Sequence, residues 1–546
     1  MSETPDAILS LDRLSVRLPA GADRPHALSE VSLNIPSNEI LCIVGESGSG
    51  KSVMANAIMR LLPGELAIDG GRVMFEGRDL AAATRADMRK VRGAGIAMIF
   101  QEPMTALNPL RTIGDQIAEM FSIHTDLSRA EIHEKVLTLL ADVRIPDPKV
   151  AAKAYPHELS GGQRQRAMIA MALALDPKVL IADEPTTALD VTTQAQILKL
   201  IRDLQQRRNT AVLFITHDFG VVAEIADRVA VMQYGVVVEQ GGAASILNNP
   251  QHPYTRQLIA AVPPLHAPPP RELSGHHILM ISKVSKTYRT GGFLGRGARV
   301  TPAVKSVSLS LPKGATLGIV GESGSGKSTL ARCIVRLIDP DAGSIVLEGN
   351  DWAKMTRGNV RRETRHIQMV FQDPFSSLNP RRKAGDLVAQ GPIVHGTPRA
   401  KAIADAKELF ALVGLDPSAI DRFPHEFSGG QRQRIGLARA LALLPDVLVA
   451  DEAVSALDVS VQAQVLKLLA ELRQRLGLSI VFITHDLRVA AQICDLVAVM
   501  KDGEVVEQGL AADVFGRPQH PYTRALLDSI PGGDFTRRRD AAASAR

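Results

Sequence analysis

Short apolar runs alternate with helical hydrophobic patterns along the chain. Ile40 to Val44, Val179 to Ala182 and Val212 to Thr216 are rich in β-branched residues, as buried strands are. Segments with the spacing of amphipathic helices separate these runs. This alternation predicts an α/β fold with a largely parallel sheet.

The composition and the termini limit what the protein can be. Its 546 residues, 45% apolar and 22% charged, suit a folded protein with two large domains. The longest apolar stretches, such as Ala167 to Leu175, fall well short of the roughly 18 residues that a membrane-spanning helix needs. Residues 1–12 carry acids rather than the basic region of a secretory signal. We therefore predict a protein that does not span a membrane and works in the cytosol.

Neither the cysteines nor the net charge points to a further class of site. Cys42, Cys333 and Cys494 lie far apart, without the spacing of metal or redox motifs, so we expect no zinc or iron–sulfur site. The formal net charge is +5, and Arg537 to Arg539 contribute to it. A solvated tail or contact with an acidic membrane surface explains this excess better than nucleic-acid binding.

The sequence is a duplication. The string Gly-Glu-Ser-Gly-Ser-Gly-Lys-Ser occurs at residues 45–52 and again at 321–328. Later landmarks recur in the same order in both halves. The pairs are Gln101 and Gln372, Ser160 and Ser428, Asp183 and Asp451, His217 and His485, and His252 and His520.

A proline-dense stretch, Pro263 to Pro270, separates the two copies and reads as an extended spacer. A second loop, Gly291 to Arg299, is rich in Gly and Arg and predicts the mobile tip of a hairpin. The predicted division is domain 1 over 1–262, a linker over 263–276, domain 2 over 277–530 and a flexible basic tail over 531–546.

Each copy of the repeated string follows an apolar run and precedes a helical pattern, which is the context of a P-loop. Its glycines let backbone amides curl around phosphate oxygens, and the helix N-terminus adds positive charge. Lys51 and Lys327 would reach the β- and γ-phosphates, and Ser52 and Ser328 would bind Mg²⁺. The predicted nucleotide-binding residues are Gly45, Glu46, Ser47, Gly48, Ser49, Gly50, Lys51 and Ser52, with Gly321, Glu322, Ser323, Gly324, Ser325, Gly326, Lys327, Ser328 and Thr329.

Two carboxylates follow another apolar run in each half: Asp183 with Glu184, and Asp451 with Glu452. By itself such a pair more often caps a helix. Downstream of a P-loop, the first carboxylate can hold the Mg²⁺ shell, and the second can orient and deprotonate an attacking water. The sequence therefore predicts a metal-and-base site in each half.

Leu-Ser-Gly-Gly-Gln at 159–163 and Phe-Ser-Gly-Gly-Gln at 427–431 resemble the signature motif of ATP-binding-cassette (ABC) ATPases. The resemblance extends from about residue 8 to residue 530. It implies two P-loop ABC ATPase domains in tandem, each with a mixed, largely parallel sheet core, an antiparallel β subdomain and a helical subdomain. It further implies that Gln101 and Gln372 are Q-loop glutamines at the catalytic metal, that His217 and His485 are switch histidines, and that 188–190 and 456–458 are D-loops.

In this family two cassettes close head to tail, so the resemblance implies that the signature of one half covers ATP held by the other. The implied contacts are Ser160, Gly161, Gly162 and Gln163, with Ser428, Gly429, Gly430 and Gln431. Tyr288 stands where the family places an adenine-stacking aromatic, whereas the first half has Leu18, which leaves that purine contact open. The second half reads Asp-Glu-Ala-Val at 451–454 instead of Asp-Glu-Pro-Thr, but it keeps both acids.

Longer strings at 101–109, 156–166 and 372–380, together with His-Pro-Tyr-Thr at His252 and at His520, resemble the dipeptide, oligopeptide and nickel importer branch. The length of the chain and the order of its motifs resemble the fused double ATPase of microcin C and oligopeptide importers. This implies a peripheral subunit at the cytoplasmic face of the inner membrane that uses ATP and Mg²⁺. Its implied partners are two transmembrane permease subunits and, indirectly, an extracytoplasmic peptide-binding protein, with no nucleic acid.

Three alternatives stay open at this stage. The cargo could be nickel, glutathione, a sugar or a peptide antibiotic. The protein could instead be a soluble twin-cassette ATPase acting on ribosomes or nucleic acid, although such proteins typically join their halves by a long charged helix rather than a short Pro-rich joint. The His-Pro-Tyr-Thr segments by themselves predict only a turn and a packing helix, over Gln257 to Val262 and Ala525 to Ile530.

Overall fold

The computed structural model describes residues 7–187, 189–290, 299–373, 377–454, 457–533 and 535. Their contacts divide the chain into two compact units. The described residues of 1–189, 193–262 and 531–535 form the first unit, and those of 190–192 and 263–530 form the second. The domain bounds drawn from the sequence stay a prediction.

Two sheets build the first unit. One has four antiparallel strands and the other has six strands, which are parallel except for one antiparallel edge strand. In sheet order, the antiparallel strands are His26–Pro36, Ala7–Arg17, Ala67–Phe75 and Arg78–Asp79. The larger sheet runs Val236–Gly242, Arg228–Gln233, Ile40–Val44, Ala211–Thr216, Val179–Asp183 and Ile96–Ile99.

The second unit repeats this strand order. Its larger sheet is again parallel apart from one edge strand. The antiparallel strands are Arg299–Pro312, His277–Thr290, Ala342–Leu347 and Asn350–Asp351. The larger sheet runs Glu504–Leu510, Leu496–Lys501, Thr316–Val320, Ser479–Thr484, Val447–Asp451 and Ile367–Val370.

Helices cover the sheets in both halves. The first half has Lys51–Ile58, Arg85–Val91, Pro103–Ala106, Ile113–His124, Arg129–Asp142, Pro148–Lys153, Gly161–Ala172, Val191–Arg208, Phe219–Ile225, Ala243–Asn248 and Pro253–Ala261, with a 3-10 turn at Pro156–Glu158. The second half has Lys327–Ile334, Arg357–Glu363, Ala384–Val394, Arg399–Leu412, Gly429–Leu441, Val459–Leu476, Leu487–Ile493, Ala511–Gly516 and Pro521–Asp528, with 3-10 turns at Trp352–Lys354, Thr364–His366, Pro417–Asp421 and Pro424–Glu426.

Both faces of each larger sheet are buried, which explains its uninterrupted apolar runs. All five residues of Ile40–Val44 are buried. Ile40 and Val44 join a core with the helices of the first unit, whereas Leu41 and Ile43 join a second core with the antiparallel sheet. Successive side chains of a strand point to opposite faces, so one strand serves two cores. Among the residues that the structure describes, no helix is both long and apolar enough to cross a membrane.

Several sequence-based predictions fall on residues outside the described ranges. Residues 291–298 of the predicted Gly/Arg-rich loop are among them, while Arg299 already begins a strand. Ala188 and Ala456 of the predicted D-loops, and residues 534 and 536–546 of the predicted tail, also lie outside. Residues 263–276, all of them described, form neither helix nor strand.

The predicted linker segment belongs to the second unit, where it contacts Asp495. Arg271, in the linker, donates from Nε and Nη2 to the Asp495 carboxylate at 2.7 and 2.8 Å. Arg473 Nη1 and the Thr316 amide donate further hydrogen bonds to it at 3.0 and 2.7 Å. Burial opposes the ionisation of Asp495, but these partners hold its pKa below the ordinary value.

Asp495→Asn is expected to lower the free energy of unfolding of the second unit by about 1.5–3 kcal/mol near neutral pH, because charge-assisted hydrogen bonds are lost. A carboxylate whose folded pKa is lowered stabilises the fold above its unfolded pKa, and this contribution disappears as pH falls through the folded pKa. The gap between wild type and variant should therefore shrink in acid. Thermal unfolding across that pH range, with the exposed Asp502→Asn as control, checks this, and a gap independent of pH would contradict it.

Candidate functional site

The predicted site residues follow neighbouring strands of the larger sheet. Because the carboxyl ends of parallel strands meet at one edge, the residues after them are brought together. In the first half the P-loop, His217, Glu184 and Gln101 follow four consecutive strands in this order. Those strands are Ile40–Val44, Ala211–Thr216, Val179–Asp183 and Ile96–Ile99.

Close packing explains two glycines of the first P-loop, Gly45 and Gly50. A Cβ built on Gly45 would lie 2.2 Å from the Met232 carbonyl oxygen, and one on Gly50 would lie 2.7 Å from that of Ala27. Gly50 also has a φ of 102°, in the left-handed region that favours glycine, directly before helix Lys51–Ile58. The loop can therefore present backbone amides at the start of a helix, which suits an anionic phosphate.

The P-loop lysines lie inside their own loops. Lys51 Nζ donates to the carbonyl oxygens of Gly45 and Glu46 at 2.7 and 2.9 Å. Lys327 Nζ makes the equivalent bonds to Gly321 and Glu322, both at 2.7 Å. Burial lowers the pKa of Lys327, although neighbouring carboxylates oppose this effect. Each ammonium group thus lies within the P-loop, where the phosphates are predicted to bind.

The first carboxylate of each acidic pair contacts the P-loop serine. The Ser52 hydroxyl donates to Asp183 Oδ1 at 3.1 Å, and the Ser328 hydroxyl donates to Asp451 Oδ1 at 3.0 Å. Burial raises the pKa of Asp183 to about 6, and the Glu184 charge adds to this effect although the Ser52 hydrogen bond opposes it. Burial likewise raises the pKa of Asp451. A hydroxyl beside a carboxylate is an oxygen donor set that suits Mg²⁺.

The second carboxylate of the first half has three side-chain partners. Glu184 accepts hydrogen bonds from Gln101 Nε2 at 3.0 Å and from Thr187 Oγ1 at 2.9 Å, and its Oε1 lies 3.3 Å from His217 Nδ1. Burial opposes its ionisation, yet the hydrogen bond and charge of His217 and the charge of Lys51 lower the pKa of Glu184 to about 2. Glu184 is therefore an ionised carboxylate at the position predicted for the base.

The second half repeats this cluster. Glu452 accepts from Gln372 Nε2 at 2.7 Å, and its Oε1 lies 3.3 Å from His485 Nδ1. His485 outweighs burial and lowers the pKa of Glu452, while Glu452 outweighs burial and raises that of His485. Both Glu184 and Glu452 have left-handed backbones, with φ of 45° and 47°.

The signature residues begin helices. The Ser160 hydroxyl accepts from the Gln163 amide at 3.3 Å, and the Ser160 amide donates to Gln163 Oε1 at 3.0 Å. Ser428 and Gln431 form the same capping box at 3.3 and 3.0 Å. Both serines are exposed at the N-terminus of a helix, a position that suits an anion.

The residue predicted to stack on adenine, Tyr288, lies in the antiparallel sheet of the second half. Tyr288 is half-buried on strand His277–Thr290, opposite Thr301. Leu18 of the first half, also half-buried, follows strand Ala7–Arg17. The stacking role of Tyr288 stays a prediction.

Some residues at the site were not predicted from the sequence. Thr187 contacts Glu184, as described above, and lies three residues after it. The hydroxyls of Tyr254 and Tyr522 accept hydrogen bonds from the P-loop amides of Glu46 and Glu322. The repetition of His-Pro-Tyr-Thr in both halves was the available signal, but neither tyrosine is near its P-loop in sequence.

Comparisons with known families match both halves. The ABC transporter family matches residues 28–187 and 304–455. A second family, described as the C-terminal region of oligopeptide/dipeptide transporters, matches residues 238–281 and 506–545. The cbiO1 structure from Clostridium perfringens, part of the ABC transporter complex cbiONQ, is 28% identical; the match covers 45% of this chain and 92% of that chain, with a TM-score of 0.38.

Curated relatives align with nearly the whole chain. They include glutathione import ATP-binding proteins named GsiA from Escherichia coli O157:H7 and from Shigella dysenteriae serotype 1 (strain Sd197). Each is 46% identical over 565 residues, which cover 97% of this chain and 91% of the relative. The chain therefore belongs to the ABC transporter family, as an ATP-binding, ATP-hydrolysing protein of the peptide and glutathione importer branch.

Proposed function

We propose that this ATPase drives the uptake of peptides through two separate transmembrane permease subunits, to which an extracytoplasmic binding protein delivers the cargo. The protein would lie at the cytoplasmic face of the inner membrane. The observation that carries the proposal is that both halves assemble the same cluster of lysine, serine, aspartate, glutamate, glutamine and histidine. Two complete clusters suit a machine that hydrolyses ATP in both halves.

We further propose that each ATP is bound by the P-loop of one half and the signature of the other. The P-loop supplies amides, a lysine and a hydroxyl to the phosphates. The signature serine supplies a helix N-terminus whose favourable partner, the γ-phosphate, is lost upon hydrolysis. Closure of the two halves would then depend on intact ATP.

The donor set described above fits Mg²⁺. Ser52 with Asp183, and Ser328 with Asp451, would hold the ion. Gln101 and Gln372 would be further ligands. Mg²⁺ usually takes few protein ligands together with phosphate oxygens. When bound, it would neutralise charge on the β- and γ-phosphates. Glu184 and Glu452 would orient the attacking water and accept its proton, and His217 and His485 would hold these carboxylates ionised.

Glutathione is the first peptide to test, because the relatives named above are glutathione import proteins and glutathione is a tripeptide. The C-terminal region shared with oligopeptide and dipeptide transporters supports the wider class.

Uptake by a strain that lacks this gene tests the cargo. Labelled glutathione, a dipeptide, an oligopeptide, nickel and a sugar should be compared in the deletion strain, with the wild-type gene or the Glu184→Gln, Glu452→Gln variant restored. We expect uptake of at least one peptide to be lost and to return only with the wild type. Unchanged peptide uptake with a collapse of nickel or sugar uptake would overturn the peptide assignment, and co-purification with ribosomes instead of permeases would overturn the transport function.

A further inference from the structure

The two His-Pro-Tyr-Thr segments are clamped at the start of a helix. In the first half, Glu239 accepts hydrogen bonds from the amides of Gln251 and His252 at 2.7 and 3.1 Å. The His252 side chain accepts from the Tyr254 amide at 3.3 Å and so caps helix Pro253–Ala261. These bonds fix the direction in which the tyrosine leaves the helix.

The second half is built in the same way. Glu507 accepts from the amides of Gln519 and His520 at 2.7 and 3.1 Å. His520 caps helix Pro521–Asp528 by accepting from the Tyr522 amide at 3.1 Å. Burial opposes the ionisation of Glu239 and Glu507, but their hydrogen bonds together outweigh it. The pKa of each carboxylate therefore lies below its ordinary value, and both stay ionised.

In both halves the tyrosine of the His-Pro-Tyr-Thr segment contacts a P-loop through its hydroxyl. Tyr254 is 6% exposed, and its hydroxyl accepts from the Glu46 amide at 3.1 Å and lies 3.4 Å from Glu46 Oε2. The Tyr522 hydroxyl accepts from the Glu322 amide at 3.3 Å. Burial raises the pKa of Tyr522, so its hydroxyl remains protonated. The same contact thus forms twice, between segments about 200 residues apart in sequence.

The residue that each tyrosine holds is also the residue that holds the P-loop lysine. Glu46 receives Tyr254 at its amide and Lys51 at its carbonyl oxygen. Glu322 is held in the same way by Tyr522 and by Lys327. A residue held at both its amide and its carbonyl oxygen leaves the loop less freedom before a nucleotide arrives, and preorganisation of this kind reduces the cost of binding.

We propose that Tyr254 and Tyr522 are positioning residues, which set the P-loop for the triphosphate through Glu46 and Glu322. The His-Pro-Tyr-Thr segment is then a support for the nucleotide site rather than only a packing helix. The proposal rests on the P-loop part of the proposed function and not on the cargo or the permeases.

Tyr254→Phe and Tyr522→Phe keep the ring and remove only the hydroxyl. We expect each variant to weaken ATP binding at its own site about threefold to tenfold, the effect of one net hydrogen bond, and the double variant to weaken both. The KM for ATP should rise while kcat changes little, because the Glu184 and Glu452 clusters are untouched. Gln257→Ala is the matched control, since Gln257 is exposed on the same helix and the second half has Ala525 at that position.

Titration of the purified chain with a fluorescent ATP analogue, alongside thermal unfolding without nucleotide, separates the possible outcomes. Weaker binding in both tyrosine variants and unchanged binding in Gln257→Ala support the proposal. A lower unfolding temperature with unchanged ATP affinity means that the tyrosines only pack the helices, which overturns it. The assay contains no permease and no cargo, so its result would stay valid even if the transport assignment were wrong.

Discussion

The double variant Glu184→Gln, Glu452→Gln should hydrolyse ATP at least a hundredfold more slowly than the wild type while it binds ATP with similar affinity. Glutamine keeps the size of glutamate and can still accept a hydrogen bond, but it cannot take the proton of the attacking water. General-base catalysis typically contributes about 10²–10⁴ in rate. The phosphate contacts predicted for the P-loop do not involve these side chains, so binding should persist.

Steady-state phosphate release and ATP titration on the purified chain measure the two effects separately. Glu134→Gln with Glu408→Gln is a suitable control, because both glutamates are exposed on helices outside the site. If the Glu184→Gln, Glu452→Gln variant turned over ATP as fast as the wild type, neither glutamate would be the general base. A parallel loss of ATP binding would instead show that these carboxylates act mainly in nucleotide binding.

Replacing both P-loop lysines should weaken ATP binding itself, unlike replacement of the two glutamates. We expect Lys51→Ala with Lys327→Ala to weaken ATP binding by roughly ten- to a hundredfold at each site, because a charge-assisted contact to phosphate is lost. The buried ammonium groups also hold the carbonyl oxygens of their own loops, so the empty loops should become less ordered. Turnover should fall with binding.

Lys199→Ala with Lys467→Ala provides the control for this experiment. These lysines are exposed at matching positions on the equivalent helices Val191–Arg208 and Val459–Leu476, and their removal changes the net charge by the same amount. If both double variants weakened ATP binding equally, the effect of Lys51 and Lys327 would be one of net charge and not of contact with the phosphates. Tight ATP binding without Lys51 and Lys327 would contradict their role.

Local strings predicted much of the site from the sequence. The P-loop, the acidic pair and the strand before each of them are continuous in sequence, so their chemistry could be inferred directly. The family matches in both halves and the curated relatives confirm the predicted family, the tandem-cassette fold and the ATPase activity. The roles of Gln101 and His217 came only from the family resemblance, because a lone glutamine or histidine is ambiguous. Their contact with Glu184 follows from the order of parallel strands in the sheet.

Other features depend on tertiary structure that no local pattern encodes. Tyr254 lies about 200 residues from Glu46, and only the packing of helix Pro253–Ala261 brings the two together. The anchoring of Arg271 by Asp495 is of the same kind, since the linker sequence indicates only an extended segment. The left-handed backbone of Glu184 is likewise unexpected from its residue type.

We propose that each ATP is shared by the P-loop of one half and the signature of the other. Chemical cross-linking tests it directly, because Ser47, Ser428 and Ser160 are exposed and the three native cysteines are buried. In the Glu184→Gln, Glu452→Gln background, a short thiol cross-linker should join Ser47→Cys to Ser428→Cys only when ATP is bound, and it should not join Ser47→Cys to Ser160→Cys. ATP-dependent cross-linking of Ser47→Cys to Ser160→Cys, with none to Ser428→Cys, would contradict the account.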